Sequence, residues 1–261
     1  MAENMQAAAE IWRGAWASTR WLVGAPIVTG RIALTATDKN HARELMANHF
    51  THFLRTCRIT VDLEGIAPER GRGCVICHNE SSFADIAAYG MVMWPHVDRA
   101  AAASLYSYLP FGRSAARIAG IEMVPRGNRW AIDRLLEKMV AAVRAGERVA
   151  WGGEGRLYGR DGVGRFKIGA SLIAIRAQSP LIPVAFCGGH QILPLGSIRA
   201  RPGRIRVRFG DAIPTAGLHE NNARELADRT QAIVADMYQS LKRPSNSRHS
   251  GAGNPRHLGR A

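Results

Sequence analysis

An apolar run long enough to cross a membrane is missing from the amino-terminal region of this 261-residue chain. A spanning helix needs about 20 predominantly apolar residues. The longest charge-free stretch within residues 8–37 is only Trp21 to Gly30. Cysteine is scarce as well. Cys57, Cys74, Cys77 and Cys187 do not make a disulfide framework in a chain of this length. The first ten residues carry Glu3 and Glu10 and no basic segment, so no cleavable export signal is expected. A reducing, cytoplasmic setting follows as the default. Metal-ligand spacing is also lacking: His41, His49 and His52 have no cysteine or carboxylate beside them at ligand distance in sequence. Cys74-Val-Ile-Cys77-His78 is a literal C-x-x-C-H string, which can mark haem attachment. That chemistry needs an exported chain, and the string lies in an apolar strand. No metal or redox cofactor is expected.

Acidic residues are outnumbered, 21 Asp and Glu against 35 Lys and Arg, for a net charge of +14. Such an imbalance points to an anionic partner: a membrane surface, an acidic substrate or nucleic acid. The basic residues are mostly scattered arginines and no nucleic-acid-binding module accompanies them, so nucleic acid is not expected. With 46% hydrophobic and 21% charged residues, the chain is long enough for one good core and short for two.

Trp12, Trp16 and Trp21 accompany Arg13, Arg20 and Arg31 around an apolar stretch that Gly24 and Pro26 interrupt. Tryptophan with arginine on a helix suits the headgroup region of a bilayer. A helix over 39–57 follows, and residues 1–57 are read as a membrane-associating helical segment. Beyond it, strands alternate with helices. Arg58–Glu64, Gly73–Cys77, Asp98–Ser104, Ile121–Pro125, Arg148–Trp151, Leu181–Phe186 and Arg204–Phe209 read as strands. Pro183 argues for an edge position or an irregularity in its strand. Helices are expected over Phe83–Met93, Pro110–Gly120, Asn128–Ala145, Phe166–Gln178 and Ala223–Leu241. The fold class is α/β, a mixed sheet flanked by helices over residues 58–242. Residues 243–261 read as a disordered basic tail.

The polar cluster His78-Asn79-Glu80-Ser81-Ser82 closes an apolar strand just before a helix, where open α/β folds place their chemistry. Asn79, Ser81 and Ser82 are plausible helix caps; His78, Glu80 and Asp85 are not needed for that. Arg126 follows a strand and a proline, so its guanidinium can be presented to a phosphate at the rim of the sheet. Glu154 and Gly155 lie in a glycine-rich loop after another strand, with Arg156, Arg165 and Lys167 adding positive charge.

Asn79-Glu80-Ser81-Ser82-Phe83-Ala84-Asp85 resembles the Asn-His-x-Ser-x-x-Asp signature of the glycerolipid acyltransferases, the lysophosphatidic acid acyltransferase family. Asparagine, serine and aspartate match in register, and Glu80 stands at the histidine. Leu109-Pro-Phe-Gly112 through Ile121-Glu-Met-Val-Pro-Arg126 resembles the second block. Glu154-Gly155 after Trp151-Gly-Gly153 is similar to the third, with Arg156 and Leu157 standing for its Thr-Arg. Phe166-Lys-x-Gly169 followed by Pro180-Leu-Ile-Pro-Val-Ala185 is similar to the fourth. The four blocks cover roughly residues 58–190, in order.

The resemblance implies transfer of a fatty acyl group from acyl carrier protein or coenzyme A to a lysophospholipid hydroxyl, at the cytoplasmic face of a membrane, by a peripheral or monotopic protein. It implies a reaction centre of Glu80 and Asp85, with Arg126, Glu154, Gly155 and Arg156 on the acceptor side. Three readings of the centre stay open. Glu80 is the base, its pKa raised by burial and by Asp85; or His78 supplies the imidazole from about 7 Å away; or the fold binds lipid without catalysis. A different acceptor, such as an amino-lipid, is the further alternative.

Overall fold

Residues 2–243 are described in the structure, a computed structural model. Apart from Arg243, the basic tail expected from the sequence lies outside them. Helix α1 (Ala2–Thr35) runs without a break through Gly24 and Pro26, the residues that interrupt its apolar stretch. Proline costs the bond to the carbonyl four residues back. That residue, Leu22, is on the exposed face of the helix, where water can take over the bond. The inner face of α1 buries Ala17, Ala25 and Ile32. It packs on α2 (Lys39–Thr56), whose first turn is capped by the Asp38 carboxylate on the N–H groups of Asn40 and His41. The outer face of α1 leaves Met5, Trp12, Trp16, Val23, Ile27 and Leu34 exposed. Their spacing aligns them in one stripe along the helix.

Strands and helices then alternate: β1 (Ile59–Glu64), β2 (Cys74–His78), α3 (Phe83–Val92), β3 (Arg99–Ala103), α4 (Gly112–Ala119), β4 (Ile121–Val124), α5 (Arg129–Arg144), β5 (Arg148–Gly152), α6 (Gly169–Ala177), β6 (Leu181–Cys187), a single turn α7 (Gly189–Ile192), β7 (Gly203–Phe209) and α8 (Ala223–Lys242). They build one seven-stranded mixed sheet in the order β1-β7-β6-β2-β5-β3-β4. Only the β6–β7 pairing is antiparallel. Helix α5 shows how directly pattern becomes structure. Leu135, Leu136, Met139, Val140 and Val143 recur at helical spacing and are buried, the Asn128 side chain caps the start, and Gly146 ends it with φ of 89°.

Pro183 meets the expectation of an irregularity and α6 departs from its expected start, each for a local cause. Pro183 lies in an interior strand, between β2 and β7. Its carbonyl accepts the N–H of Gly210, while the β6–β7 register begins one residue later at Val184. Pairing on this side resumes at Leu181 with Ile213, one residue out of step, so Pro183 sits at an irregularity in the ladder where no N–H is required. Helix α6 starts at Gly169 instead of Phe166, because Phe166 is spent as a buried anchor whose N–H donates to the Gln231 side chain.

One face of the sheet packs against α2 and α3 and includes Cys74 and Ile76; the other packs against α5, α6 and α8 and includes Val75 and Cys77. The two cysteines of the C-x-x-C-H string thus sit on opposite faces, and both are free thiols. The edge where the parallel strands begin is stapled by charge. Arg148 bonds Asp98 at 2.8 Å, and Arg99 joins Glu147 and Glu122. At the opposite edge, β2, β3, β4, β5 and β6 all end together, at His78, Ala103, Val124, Gly152 and Cys187.

Candidate active site

The turn after β2 is fixed by side chains reaching its own backbone. Asn79 exchanges two hydrogen bonds with the backbone of Phe186, its amide donating at 3.0 Å and its oxygen accepting at 2.8 Å. Asp85, in the first turn of α3, accepts at one oxygen from the N–H groups of Ser81 and Ser82 and from the Ser81 hydroxyl at 2.6 Å. This is the carboxylate arm of a capping box. The other Asp85 oxygen has no partner and lies against Gly189, where a Cβ would collide with it. Burial outweighs those donors and raises the Asp85 pKa.

Glu80 stands between these two anchors. Its side chain is 27% exposed, enough to be reached from outside. Burial raises its pKa to about 7. His78 is buried, its ring between Tyr89 and Phe186 at centroid distances of 5.1 and 5.8 Å, with Nδ1 3.6 Å from Glu80 Oε1. Burial holds the imidazole neutral, with a pKa down to about 4.

The loop after β5 closes over this turn. The N–H groups of Tyr158 and Gly159 donate to the carbonyls of Glu80 and Ser81. Glu154 is buried and faces inward. One of its oxygens accepts from the N–H of Glu80 at 3.2 Å and the other from that of Gly164 at 3.1 Å. Burial raises its pKa to about 8. Gly155 turns the chain with φ of 67°, a left-handed conformation that suits glycine.

The structure therefore brings together His78, Glu80, Asp85 and Glu154. Arg126 is exposed on the loop after β4, and Arg156, Arg160, Arg165 and Lys167 are exposed on the loop after β5. Among the described residues none of these five cations makes an ion pair with a carboxylate. A largely buried acidic floor thus lies at the carboxyl edge of the sheet, and exposed cations on the loops that leave this edge make a basic rim. Glu154 holds the floor by bonding backbone, a task its sequence position does not announce. Gly189 was not singled out from sequence at all; the Gly188-Gly189 pair directly after a buried strand is the only signal for it. Such a floor can take up and release one proton near neutral pH, and such a rim suits a phosphate or another anion.

A family model described as Acyltransferase matches residues 58–187. The chain is 28% identical over 182 residues to a putative 1-acyl-sn-glycerol-3-phosphate acyltransferase of Caenorhabditis elegans, covering 69% of this chain and 64% of that protein. It is 27% identical over 130 residues to a probable 1-acyl-sn-glycerol-3-phosphate acyltransferase of Mycoplasma genitalium, covering 47% of this chain and 48% of the other. The chain thus spans about half to just under two thirds of the length of these relatives. In fold it is similar to the 1-acyl-sn-glycerophosphate (LPA) acyltransferase PlsC of Thermotoga maritima, with a TM-score of 0.68 over 92% of this chain and 97% of that one, at 18% identity.

Proposed function

Because the chain belongs to the acyltransferase family over residues 58–187, we propose that it transfers a fatty acyl group from an acyl carrier protein or coenzyme A thioester to the hydroxyl of a lysophospholipid, a step in phospholipid synthesis. Glu80 carries this reading. It is a reachable carboxylate at the carboxyl edge of a parallel sheet, pushed up to about 7 by burial. A base with a pKa near the working pH combines a populated ionised form with useful proton affinity.

Glu80 takes the proton from the acceptor hydroxyl as its oxygen attacks the thioester carbonyl carbon. The resulting tetrahedral centre collapses, the carbon–sulfur bond breaks, and the departing thiolate receives the proton from Glu80. The product is an ester and a free thiol, with no acyl-enzyme between them. Asp85 and Glu154 hold the turn that carries Glu80. Arg126 and Arg156 stand on the rim to receive the acceptor's anionic headgroup or the donor's phosphates, with Gly155 shaping the loop between them and the floor.

Both substrates have acyl chains, which favours work at a bilayer surface. None of the described helices is long and apolar enough to cross a membrane. The exposed stripe of α1, with Trp12 and Trp16 in it and exposed Arg20 and Arg31 beside it, suits shallow seating among headgroups. The protein would then work from the cytoplasmic face as a peripheral or monotopic enzyme.

The test offers labelled acyl carrier protein and coenzyme A thioesters to the purified protein with lysophosphatidate, other lysophospholipids and amino-lipids in mixed micelles. Label in a diacyl product of lysophosphatidate supports the proposal. Label only in another product moves the acceptor. Lipid binding with no transfer to any acceptor overturns the enzyme reading in favour of a lipid-binding protein.

A further inference from the structure

The strand register sets His78 of β2 directly beside Gly152 of β5. A Cβ added at 152 would lie 3.9 Å from both the Glu80 carboxylate and His78 Cε1. Position 152 thus borders both the imidazole and the carboxylate at van der Waals distance, on the side where they meet. His78 is held there from two other sides by Tyr89 and Phe186. Its Nδ1 is buried, has no hydrogen-bond partner and faces Glu80 Oε1 at 3.6 Å. Buried polar atoms are as a rule hydrogen-bonded. The gap exceeds a good N–H···O distance by about 0.6 Å, which a small rotation of Glu80 closes, and catalytic bonds commonly tighten when substrate binds.

The other titratable groups facing Glu80 are Asp85 and Tyr89 on α3, Tyr106 in the turn after β3, and Glu154 after β5. None of them is a cation. One Asp85 oxygen is taken by the turn and the other is covered by Gly189. None of these four groups hydrogen-bonds the Glu80 carboxylate in the structure, whereas His78 Nδ1 approaches it at 3.6 Å.

We propose that His78 is the positioning residue of the site, its Nδ1–H donating to Glu80 Oε1 so that the carboxylate is held ionised and aimed at the acceptor. The proposal rests on the assignment of Glu80 as base. It inverts the usual histidine–carboxylate relation: the carboxylate takes the substrate proton and the neutral imidazole does the orienting.

Two substitutions separate this role from packing. Asparagine places an amide N–H near the position of imidazole Nδ1, whereas phenylalanine keeps a ring without a donor. Losing a hydrogen bond to a charged group is expected to move the Glu80 pKa up by about one to two units. The acidic limb of the kcat/KM profile should therefore rise by that amount in His78→Phe and return most of the way in His78→Asn. Titration of Glu80 by carbon-13 NMR, with Glu80→Gln identifying its signal, reads the same shift without turnover. A protein that transfers no acyl group but shows the shift loses the enzyme reading and keeps the pair. If His78→Phe does not fold, the imidazole Nδ1 resonance of the otherwise intact protein should move in Glu80→Gln. An unmoved limb and an unmoved Glu80 titration in folded His78→Phe, or an unmoved imidazole resonance in Glu80→Gln, would overturn the proposal.

Discussion

Where the parallel strands begin, Asp98 meets Arg148; where they end, Glu80, Asp85 and Glu154 meet no lysine or arginine among the described residues. Both ends remove carboxylates from water. At the first, burial pushes Asp98 up, but the hydrogen bonds and charge of Arg148 win and hold it down to about 2. At the second, burial has no such opponent, and Glu80 and Glu154 rise to about 7 and about 8. The same functional group at the two edges of one sheet is therefore a fixed charge at one and a proton-exchanging group at the other. A buried carboxylate that lacks a counter-ion costs stability, and such groups concentrate at working sites.

The sharpest way to break this contrast is Glu80→Gln. Acyl transfer should fall by about 10²- to 10⁴-fold, the usual worth of a general base, while the urea midpoint at neutral pH holds or rises, because the uncompensated carboxylate is removed. Arg148→Met should do the reverse. It strands Asp98 and should cost about 3–5 kcal/mol of stability, read by urea unfolding, with the turnover of the folded fraction unchanged.

The two ends should also respond to pH with opposite sign. Asp98, depressed when folded, contributes stability above its unfolded pKa of 3.8 that is lost as pH falls toward about 2. Glu154, raised when folded, keeps a proton that the unfolded chain has given up. Stability should therefore decline as pH rises from 4.5 to about 8. Unfolding free energies at pH 5 and pH 8 should differ by about 2 kcal/mol less in Glu154→Gln than in the wild type. The rim should give the smallest effect. Arg126→Ala removes one exposed cation and should raise the KM for an anionic acceptor by about tenfold, with kcat little changed.

What the sequence made legible follows the range of the interactions involved. Helix α5 could be read because its apolar period, its Asn128 cap and its terminal Gly146 are all local. The turn from His78 to Asp85 could be read for the same reason, since the Asp85 bonds to Ser81 and Ser82 span only three or four residues. Pro183 could be read as an edge or an irregularity, but which of the two depends on partners across a strand pair, Gly210 and Ile213. Glu154 bonds the N–H of Glu80, 74 residues away, and no spacing rule reaches that far. The meeting of His78 with Gly152 needs the β2–β5 register, which the pattern of apolar residues does not specify when both strands are buried on both faces. The stripe on α1 was half legible. Its tryptophans and arginines pointed to an interface, while the single unbroken helix that aligns them, through the Gly-Ala-Pro segment, could be seen only in the structure.

The measurement closest to the centre of this account is the pH dependence of single-turnover acyl transfer, wild type beside Glu80→Gln. With Glu80 as base, the wild-type rate should climb tenfold per pH unit and level off between about pH 5, with the His78 bond made, and about pH 7, from burial alone, and the residual rate of the variant should show no such limb. A wild-type limb near pH 4, where the buried His78 titrates, or a variant with the wild-type profile, would contradict it.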